Sequence, residues 1–344
     1  MQKIWIAMSG GVDSSGAALL IREHYPHCGG VTLTMQGNDA DQNNVRDAAQ
    51  VCDKLGISHT ALDCQKQFRE KVMGYFAQSY LTGETPNPCV LCNREIKFGF
   101  LLDEALRRGY DGVATGHYAR IYKDANGHCL VQKAADVTKD QSYVLAMLTE
   151  EQLQHCVFPL GDYTKPEIRA LAESHGFVTA HKSDSQDICF IPDGDYVRFL
   201  TDFTGQAPTP GNYVDEDGHV LGQHKGYPCY TIGQRKGLGI ALGRHMFVLH
   251  KDAKTNTVTL GDEAGLFTRT VRCSPFHHQT VSPLPDGAVV ACKLRYAHRE
   301  APARLWHTED GCLLEFDEPQ RAPTPGQFAV CYDGNLVLGG AVIR

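Results

Sequence analysis

Apolar positions along the first third of the chain switch between a strand period and a helix period, and the alternation predicts a sheet covered by helices. Lys3-Ile4-Trp5-Ile6-Ala7-Met8 is a short apolar run of strand type, and Gly16-Ala17-Ala18-Leu19-Leu20-Ile21 has helix character. Residues 30–34 read as a second strand and 57–62 as a third, with a helical pattern at 43–55 between them that Gly56 stops. Helices are predicted over 65–80 and 95–108, and a buried strand over 112–115. Alternation at this spacing is that of βαβ units, so the fold class is α/β with a doubly wound parallel sheet. The stretch 149–176 reads as helical, with Pro166 in the first turn of its second helix. Pro208-Thr209-Pro210-Gly211 breaks the pattern, and short β segments with turn signals follow. The expected organisation is a catalytic α/β domain at 1–205, a small β-rich central domain at 206–268 and a C-terminal β-barrel at 269–344.

Composition narrows the class. At 344 residues, with 42% hydrophobic and 21% charged positions, the chain reads as a soluble protein of several units. No run of about 18 apolar residues is present, so no membrane partner is expected. A glycine-rich stretch beginning at Ser9 leaves no room for a cleaved leader, and a cytoplasmic location is expected. The net charge of -7 argues against a non-specific nucleic-acid coat. Yet residues 201–344 hold 14 Lys and Arg against 15 Asp and Glu, so the acid surplus lies N-terminally and a local basic surface can still meet phosphates. Thirteen cysteines, an odd number in a long chain, do not suggest a disulfide framework. Ten of them (Cys28, Cys52, Cys64, Cys129, Cys156, Cys229, Cys273, Cys292, Cys312 and Cys331) read as small buried hydrophobes. Cys89, Cys92 and Cys189 stand apart.

Three stretches carry candidate chemistry. In Ser9-Gly10-Gly11-Val12-Asp13-Ser14-Ser15 two glycines let the chain turn sharply between strand and helix. Backbone N–H groups, two hydroxyls and the positive end of the helix then form an anion cradle suited to pyrophosphate. No Gly-Lys-Ser/Thr follows, so it is not a Walker loop. In Glu84-Thr85-Pro86-Asn87-Pro88-Cys89-Val90-Leu91-Cys92-Asn93-Arg94 the prolines stiffen the approach and Asn93 reads as a helix cap. Cys92, one residue before that helix start and near Arg94 and Lys97, is a nucleophile candidate with a lowered pKa. A half zinc site is the alternative, but no second ligand pair follows at short spacing. Ser183-Asp184-Ser185-Gln186-Asp187-Ile188-Cys189-Phe190-Ile191 places Cys189 in a short apolar run that, alone, reads as core.

The first stretch resembles the signature of the PP-loop ATP pyrophosphatases, which bind ATP there and adenylate an oxygen. Taken with Asn87-Pro88-x-x-x-Cys92-Asn93, Ala114-Thr115-Gly116-His117-Tyr118, Lys139-Asp140-Gln141-Ser142-Tyr143, Cys189-Phe190-Ile191, Gly233-Gln234-Arg235-Lys236-Gly237-Leu238-Gly239, Arg295-Tyr296 and Pro325-Gly326-Gln327, the chain resembles the tRNA-specific 2-thiouridylases of the MnmA/TrmU family from end to end. The resemblance implies a tRNA sulfurtransferase that adenylates C2 of the wobble uridine and then transfers sulfur. It implies ATP and Mg²⁺ as cofactors, the metal on the nucleotide and not on protein side chains. Implied partners are tRNA of the Lys, Glu and Gln type and a sulfur-relay protein or cysteine desulfurase as persulfide donor.

By family position Cys189 carries the persulfide, Cys92 is its nucleophilic partner, and the two close a catalytic disulfide. Ala7, Met8, Ser9, Gly10, Gly11, Val12, Asp13 and Ser14 would hold the triphosphate, with Leu33 and Gly116 at the adenosine. Asn87, Pro88 and Cys89 would flank the target base, flipped because its C2 atom is otherwise stacked. His117, Lys139, Asp140, Gln141, Arg295, Tyr296 and Gln327 would contact tRNA. Two features depart from the family: Cys89 stands where many members carry Asp, and the segment after Leu33 is short. Cys89, Cys92 and Cys189 also admit a [4Fe–4S] cluster as the alternative sulfur route. A PP-loop amidotransferase or ligase, or a non-catalytic tRNA-binding paralogue, are the competing functions.

Overall fold

The computed structural model describes residues 1–182, 188–241 and 243–344. Five parallel strands form the first sheet. They are β1 (Lys3–Ala7), β2 (His27–Thr34), β3 (Ser58–Asp63), β4 (Gly112–Ala114) and β5 (Cys156–Val157), in the spatial order β3-β2-β1-β4-β5. Central position explains composition: Ile4, Trp5 and Ile6 of β1 are buried on both faces, as crossover helices require. Trp5 stacks on Tyr110 with ring centroids 5.2 Å apart. Helices α1 (Val12–His24) and α2 (Asp39–Leu55) make the first two crossovers. Asn38 caps α2 by accepting from the Asp41 N–H at 3.1 Å, and Gly56 ends it at φ 64°, the left-handed backbone glycine tolerates. The 65–80 pattern folds as Gln65–Phe68, a π-type segment Arg69–Met73 and Gly74–Leu81.

The stretch 149–176 is not helical throughout. Thr149 and Gln152 form a capping box for the short helix Glu150–Gln154, and the chain then enters β5 before α3 (Lys165–Ser174). β5 exists because Cys156 and Val157 pair with Val113 and Ala114, a partner that local periodicity does not encode. The hairpin Ala119–Lys123 with Cys129–Lys133, unassigned from sequence, likewise leaves the parallel sheet and pairs through Gln132 with Leu336.

Beyond the break at Pro208, a four-stranded sheet runs Phe247–Asp252, Thr257–Gly261, Gly211–Val214 and Val220–His224. A larger, mostly antiparallel sheet closes the chain, built on Ala288–Lys293, Ala301–Thr308, Gly311–Arg321, Phe328–Asp333 and Leu336–Val342. Leu305, Leu314, Ala329 and Cys331 fill its core. Among the described residues no helix is long and apolar enough to cross a membrane.

Candidate functional site

The loop between β1 and α1 is fixed from three sides. Gly10 adopts φ 70°, and a Cβ on it would lie 2.8 Å from the Asn44 Cα of α2. Gly116, just past β4, comes so close that its own Cβ would stand 2.8 Å from the Asp13 carbonyl carbon. Within the loop the Ser14 hydroxyl donates to the Gly11 carbonyl at 2.9 Å and accepts from the Ser9 N–H at 3.1 Å. Asp13 accepts from the Lys165 ammonium at 2.7 and 2.8 Å and from the Tyr118 hydroxyl at 2.9 Å. Lys182 donates to the Gly10 carbonyl at 2.9 Å and pairs with Asp47. Helix N-terminus, hydroxyls and two ammonium groups together make a donor set suited to an anion.

The thiols lie along one wall. Asn87 caps the helix Pro88–Cys92, its side chain accepting from the Cys89 N–H at 3.1 Å, with Pro88 in the first turn. The sequence expectation for Cys92 is corrected here. The cap is Asn87, not Asn93, and the helix runs on through Asn93–Phe100, so Cys92 does not sit at a positive helix end. Asn93 is buried and donates to the Val144 carbonyl at 3.1 Å. Cys92 packs among Phe76, Ile96 and Phe190, and burial pushes its thiol up to about 12. Cys89 and Cys189 are exposed. Desolvation by the surrounding protein still raises both, Cys189 to about 11, while Lys97 pulls all three thiols down. The Cys92 thiol feels both others, which places the three sulfurs in one electrostatic group.

Phe190 anchors Cys189. Its ring meets Phe68 at 5.7 Å and Phe76 at 5.3 Å, both edge-on, and Phe199 at 5.0 Å. The Gln36 amide then donates to the Cys189 carbonyl at 3.3 Å, so the short segment after β2 is tied to the thiol wall. Residues 183–187 of the third candidate stretch lie outside the described residues.

Three family models cover the chain: "tRNA methyl transferase HUP domain" at 2–193, "tRNA methyl transferase PRC-barrel domain" at 197–262 and "Aminomethyltransferase beta-barrel domain" at 273–343. The tRNA-specific 2-thiouridylase MnmA of Moorella thermoacetica is 46% identical, covering 98% of this chain and 98% of its own. That of Acetivibrio thermocellus is 42% identical over 100% of this chain and 99% of its own. The chain belongs to the tRNA-specific 2-thiouridylase family.

Within this 2-thiouridylase family member, the positions expected to meet tRNA divide. Tyr296 is 45% exposed, its hydroxyl donating to the Asp140 carbonyl at 3.1 Å. His117 is buried instead of lying at the surface, its Nδ1 2.6 Å from the Thr115 hydroxyl and its ring against Phe98 and Phe158. Burial and Lys97 hold its pKa well below the ordinary value, so it is neutral. Asp140 accepts from the Ala134 N–H at 2.9 Å and the Ser142 hydroxyl at 2.7 Å. Gln141 accepts from the Tyr118 N–H at 2.9 Å. Arg295 donates to the Ala322 carbonyl at 3.0 Å and to Thr324, and Gln327 to the Thr85 carbonyl at 2.6 Å. These polar groups brace the site from inside. Lys139 is half-buried beside them. Ala7 is half-buried, and Met8 and Val12 are core residues that offer the loop only their backbone. Leu33 packs partly against the thiol-wall cluster.

Sequence reasoning missed Lys165, Lys182, Tyr118, Asn44 and Gln36. Tyr118 ends the 114–118 motif without its contact to Asp13 being legible there; the other four sit in no motif, and each reaches the site from a helix or loop distant in sequence. It also missed the clamp on the Glu84–Asn87 approach. The Thr85 N–H donates to Pro325 at 2.8 Å, Tyr227 to the Leu81 carbonyl at 2.5 Å, and Lys251 to the Glu84 carbonyl at 3.4 Å. All three β-rich contacts fall on residues 81–85, the stretch that leads to Cys89.

Two measurements follow from these charges. A thiol at about 11 is only ~0.1% ionised three units lower, so iodoacetamide labelling of Cys189 should rise about tenfold per pH unit from pH 7 to 10. Lys97→Met should slow it severalfold at fixed pH, by peptide mass mapping; labelling that plateaus near pH 8 contradicts this. Lys251 is buried and its pKa falls to about 8 because burial penalises the ammonium. The sign is that of a depressed base. Below pH 8 the charged form costs the fold roughly 3 kcal/mol in full, and between pH 8 and 10.5 the unfolded chain holds the proton more tightly, so stability rises with pH. Lys251→Met should therefore gain about 1 kcal/mol or more at pH 7 and flatten that rise in denaturant titrations. An undiminished rise in the variant would assign it to another group.

Proposed function

We propose that this protein is a cytoplasmic tRNA-uridine 2-sulfurtransferase that uses ATP to activate C2 of the wobble uridine and replaces its oxygen with sulfur. The observation that carries this is an anion-binding loop and a wall of three thiols in one α/β unit, with Cys189 held by Gln36 of the segment after β2. Ligation needs no such wall.

The proposed roles follow the geometry. Backbone N–H groups of Ser9 to Asp13, the Ser14 hydroxyl, Lys165 and Lys182 hold the phosphates of ATP. Leu33 and Gly116 line the adenosine side. Mg²⁺ carried on the nucleotide supplies charge neutralisation at the phosphates, without a protein side-chain ligand. Asn87, Pro88 and Cys89 receive the flipped uridine. Its C2 oxygen attacks the α-phosphate and pyrophosphate leaves. The terminal sulfur of a Cys189 persulfide then adds to C2, and AMP departs with the former oxygen. Cys92 attacks the Cys189 sulfur as a thiolate whose charge Lys97 offsets, and its proton ends on the thiouracil ring, which takes up the electron pair of the broken S–S bond. A Cys92–Cys189 disulfide forms, the C2–sulfur bond is retained as 2-thiouridine, and an external thiol reductant resets the pair. His117, Lys139, Asp140, Gln141, Arg295 and Gln327 shape the wall on which tRNA rests, and Tyr296 offers it an exposed ring. The substrates are tRNAs of the Lys, Glu and Gln type, and a sulfur-relay protein or cysteine desulfurase delivers the persulfide.

The test is thiolation of an unmodified wobble-uridine tRNA with ATP, Mg²⁺ and a persulfide donor, read as 2-thiouridine by mass spectrometry. Aerobic protein should be active. Activity only after anaerobic addition of iron and sulfide would instead favour a [4Fe–4S] route on Cys89, Cys92 and Cys189. ATP cleavage without thiolation would reopen the ligase reading.

A further inference from the structure

The sequence stretch Gly233-Gln234-Arg235-Lys236-Gly237-Leu238-Gly239 takes no part in the nucleotide loop or the thiol wall. It forms one lip of an open cavity of roughly 500 Å³ on the central β-rich unit, whose lining includes Arg235, Arg244 and His245 and no acidic residue. Arg235, Lys236, Arg244 and His245 are all exposed, a concentration of cations in a chain of net charge -7. The lip is rigid. Gln234 accepts from the Thr231 N–H at 3.0 Å and donates to the Lys236 carbonyl at 3.0 Å. Buried Tyr213 donates to the Leu238 carbonyl at 2.7 Å, and Gly237 and Gly239 turn the chain at φ 75° and 72°. Arg244 is steadied by Asp262 at 3.1 Å.

The lip is also continuous with the site. Arg295 donates to the Ile232 carbonyl at 3.3 Å, and the next residue, Tyr296, stands close enough to Cys89 to feel its charge. Arg295 thus connects the segment that leads into the lip to the part of the chain beside the thiol wall.

We infer that this preorganised basic lip, Arg235 and Lys236 with Arg244 and His245, docks the phosphodiester backbone of the RNA substrate at a distance from the target base. The inference rests on the proposed tRNA substrate. The cavity floor carries Leu238, Ile240 and Met246, but its mouth is open and rimmed by Arg235 and Arg244, an arrangement that suits a polyanion lying across it. Backbone contacts of this kind set register on the nucleic acid and carry no sequence preference.

Full-length wild-type protein and Arg235→Glu/Lys236→Glu would be titrated with an unmodified wobble-uridine tRNA from about 50 to 200 mM salt. The double variant should bind about tenfold or more weakly, and its slope of log K against log salt should be shallower by roughly 1 to 2, for up to two lost phosphate contacts. KM for tRNA in thiolation should rise in parallel. Arg22→Glu, on an exposed residue in the last turn of α1, controls for net charge and should change neither quantity. Equal affinity and slope in the double variant and wild type would overturn the inference. Wild-type protein that binds no tRNA would overturn the function reading, and this docking site with it.

Discussion

Cys189→Ser is expected to abolish 2-thiouridine formation, by at least ~10³-fold or about 4 kcal/mol in barrier, while tRNA-dependent release of AMP or pyrophosphate stays within a few fold. A hydroxyl cannot store sulfane sulfur, whereas activation of C2 depends on the loop at Ser9 to Ser14, held by Asn44, Gly116 and Lys182 on the other side of the site. The partner substitution separates the two thiols. Cys92 is buried against Phe190, burial pushes its thiol up to about 12, and in the proposed order it acts after sulfur has reached C2. Cys92→Ser should therefore complete the first addition and stall as a tRNA joined to Cys189 through a disulfide, released by dithiothreitol. Equal loss in both variants with no trapped adduct would remove the persulfide order proposed for this pair.

The second large effect is expected at a position with no reactive group. Gly116→Ala puts a methyl 2.8 Å from the Asp13 carbonyl carbon and 2.9 Å from the Ser14 nitrogen, and backbone cannot yield as a flexible side chain does. The loop must move away, carrying Asp13 off Lys165 and Tyr118. A displacement approaching 1 Å in a positioning group costs on the order of 10²-fold, so kcat/KM for ATP should fall by about that factor. Overpacking should also remove roughly 1 to 3 kcal/mol of stability. ATP-dependent AMP release across a nucleotide titration checks the first expectation and denaturant unfolding the second. An ATP KM within twofold of wild type would mean the loop tolerates the approach, and that Gly116 does not set its position.

The clamp behind Cys89 bears on why three units are joined in one chain. The Asn87–Cys89 turn belongs to the α/β unit, yet Pro325, Gln327, Tyr227 and Lys251 of the two β-rich units hold the approach to it. The β-rich units therefore help set the geometry of the approach to the Asn87–Cys89 turn. The same holds for Arg295, whose guanidinium joins the Ile232 carbonyl to Ala322 and Thr324.

What the sequence by itself determined are the features whose physics is local. The Ser9–Ser14 loop was legible because a two-glycine turn between an apolar strand and a helix has few other uses, and α2 because its apolar spacing ends on Gly56. The parallel sheet followed from period alone, and the family from motifs spread along the chain. Tertiary structure decided whatever depends on a partner remote in sequence. β5 is a strand because Val113 and Ala114 lie beside it, and the 119–133 hairpin joins the C-terminal sheet because Leu336 meets Gln132. Cys92 lost its expected acidity for the same kind of reason. A helix capped at Asn87, six residues before the Asn93 cap expected from the sequence, moves the thiol away from the positive end, and burial among aromatic rings then raises its pKa. Lys165 and Lys182 reach the loop across more than 150 residues, and no pattern in the chain marks a lysine for that contact. Periodicity records which face of an element is buried, and only the fold determines what it is buried against.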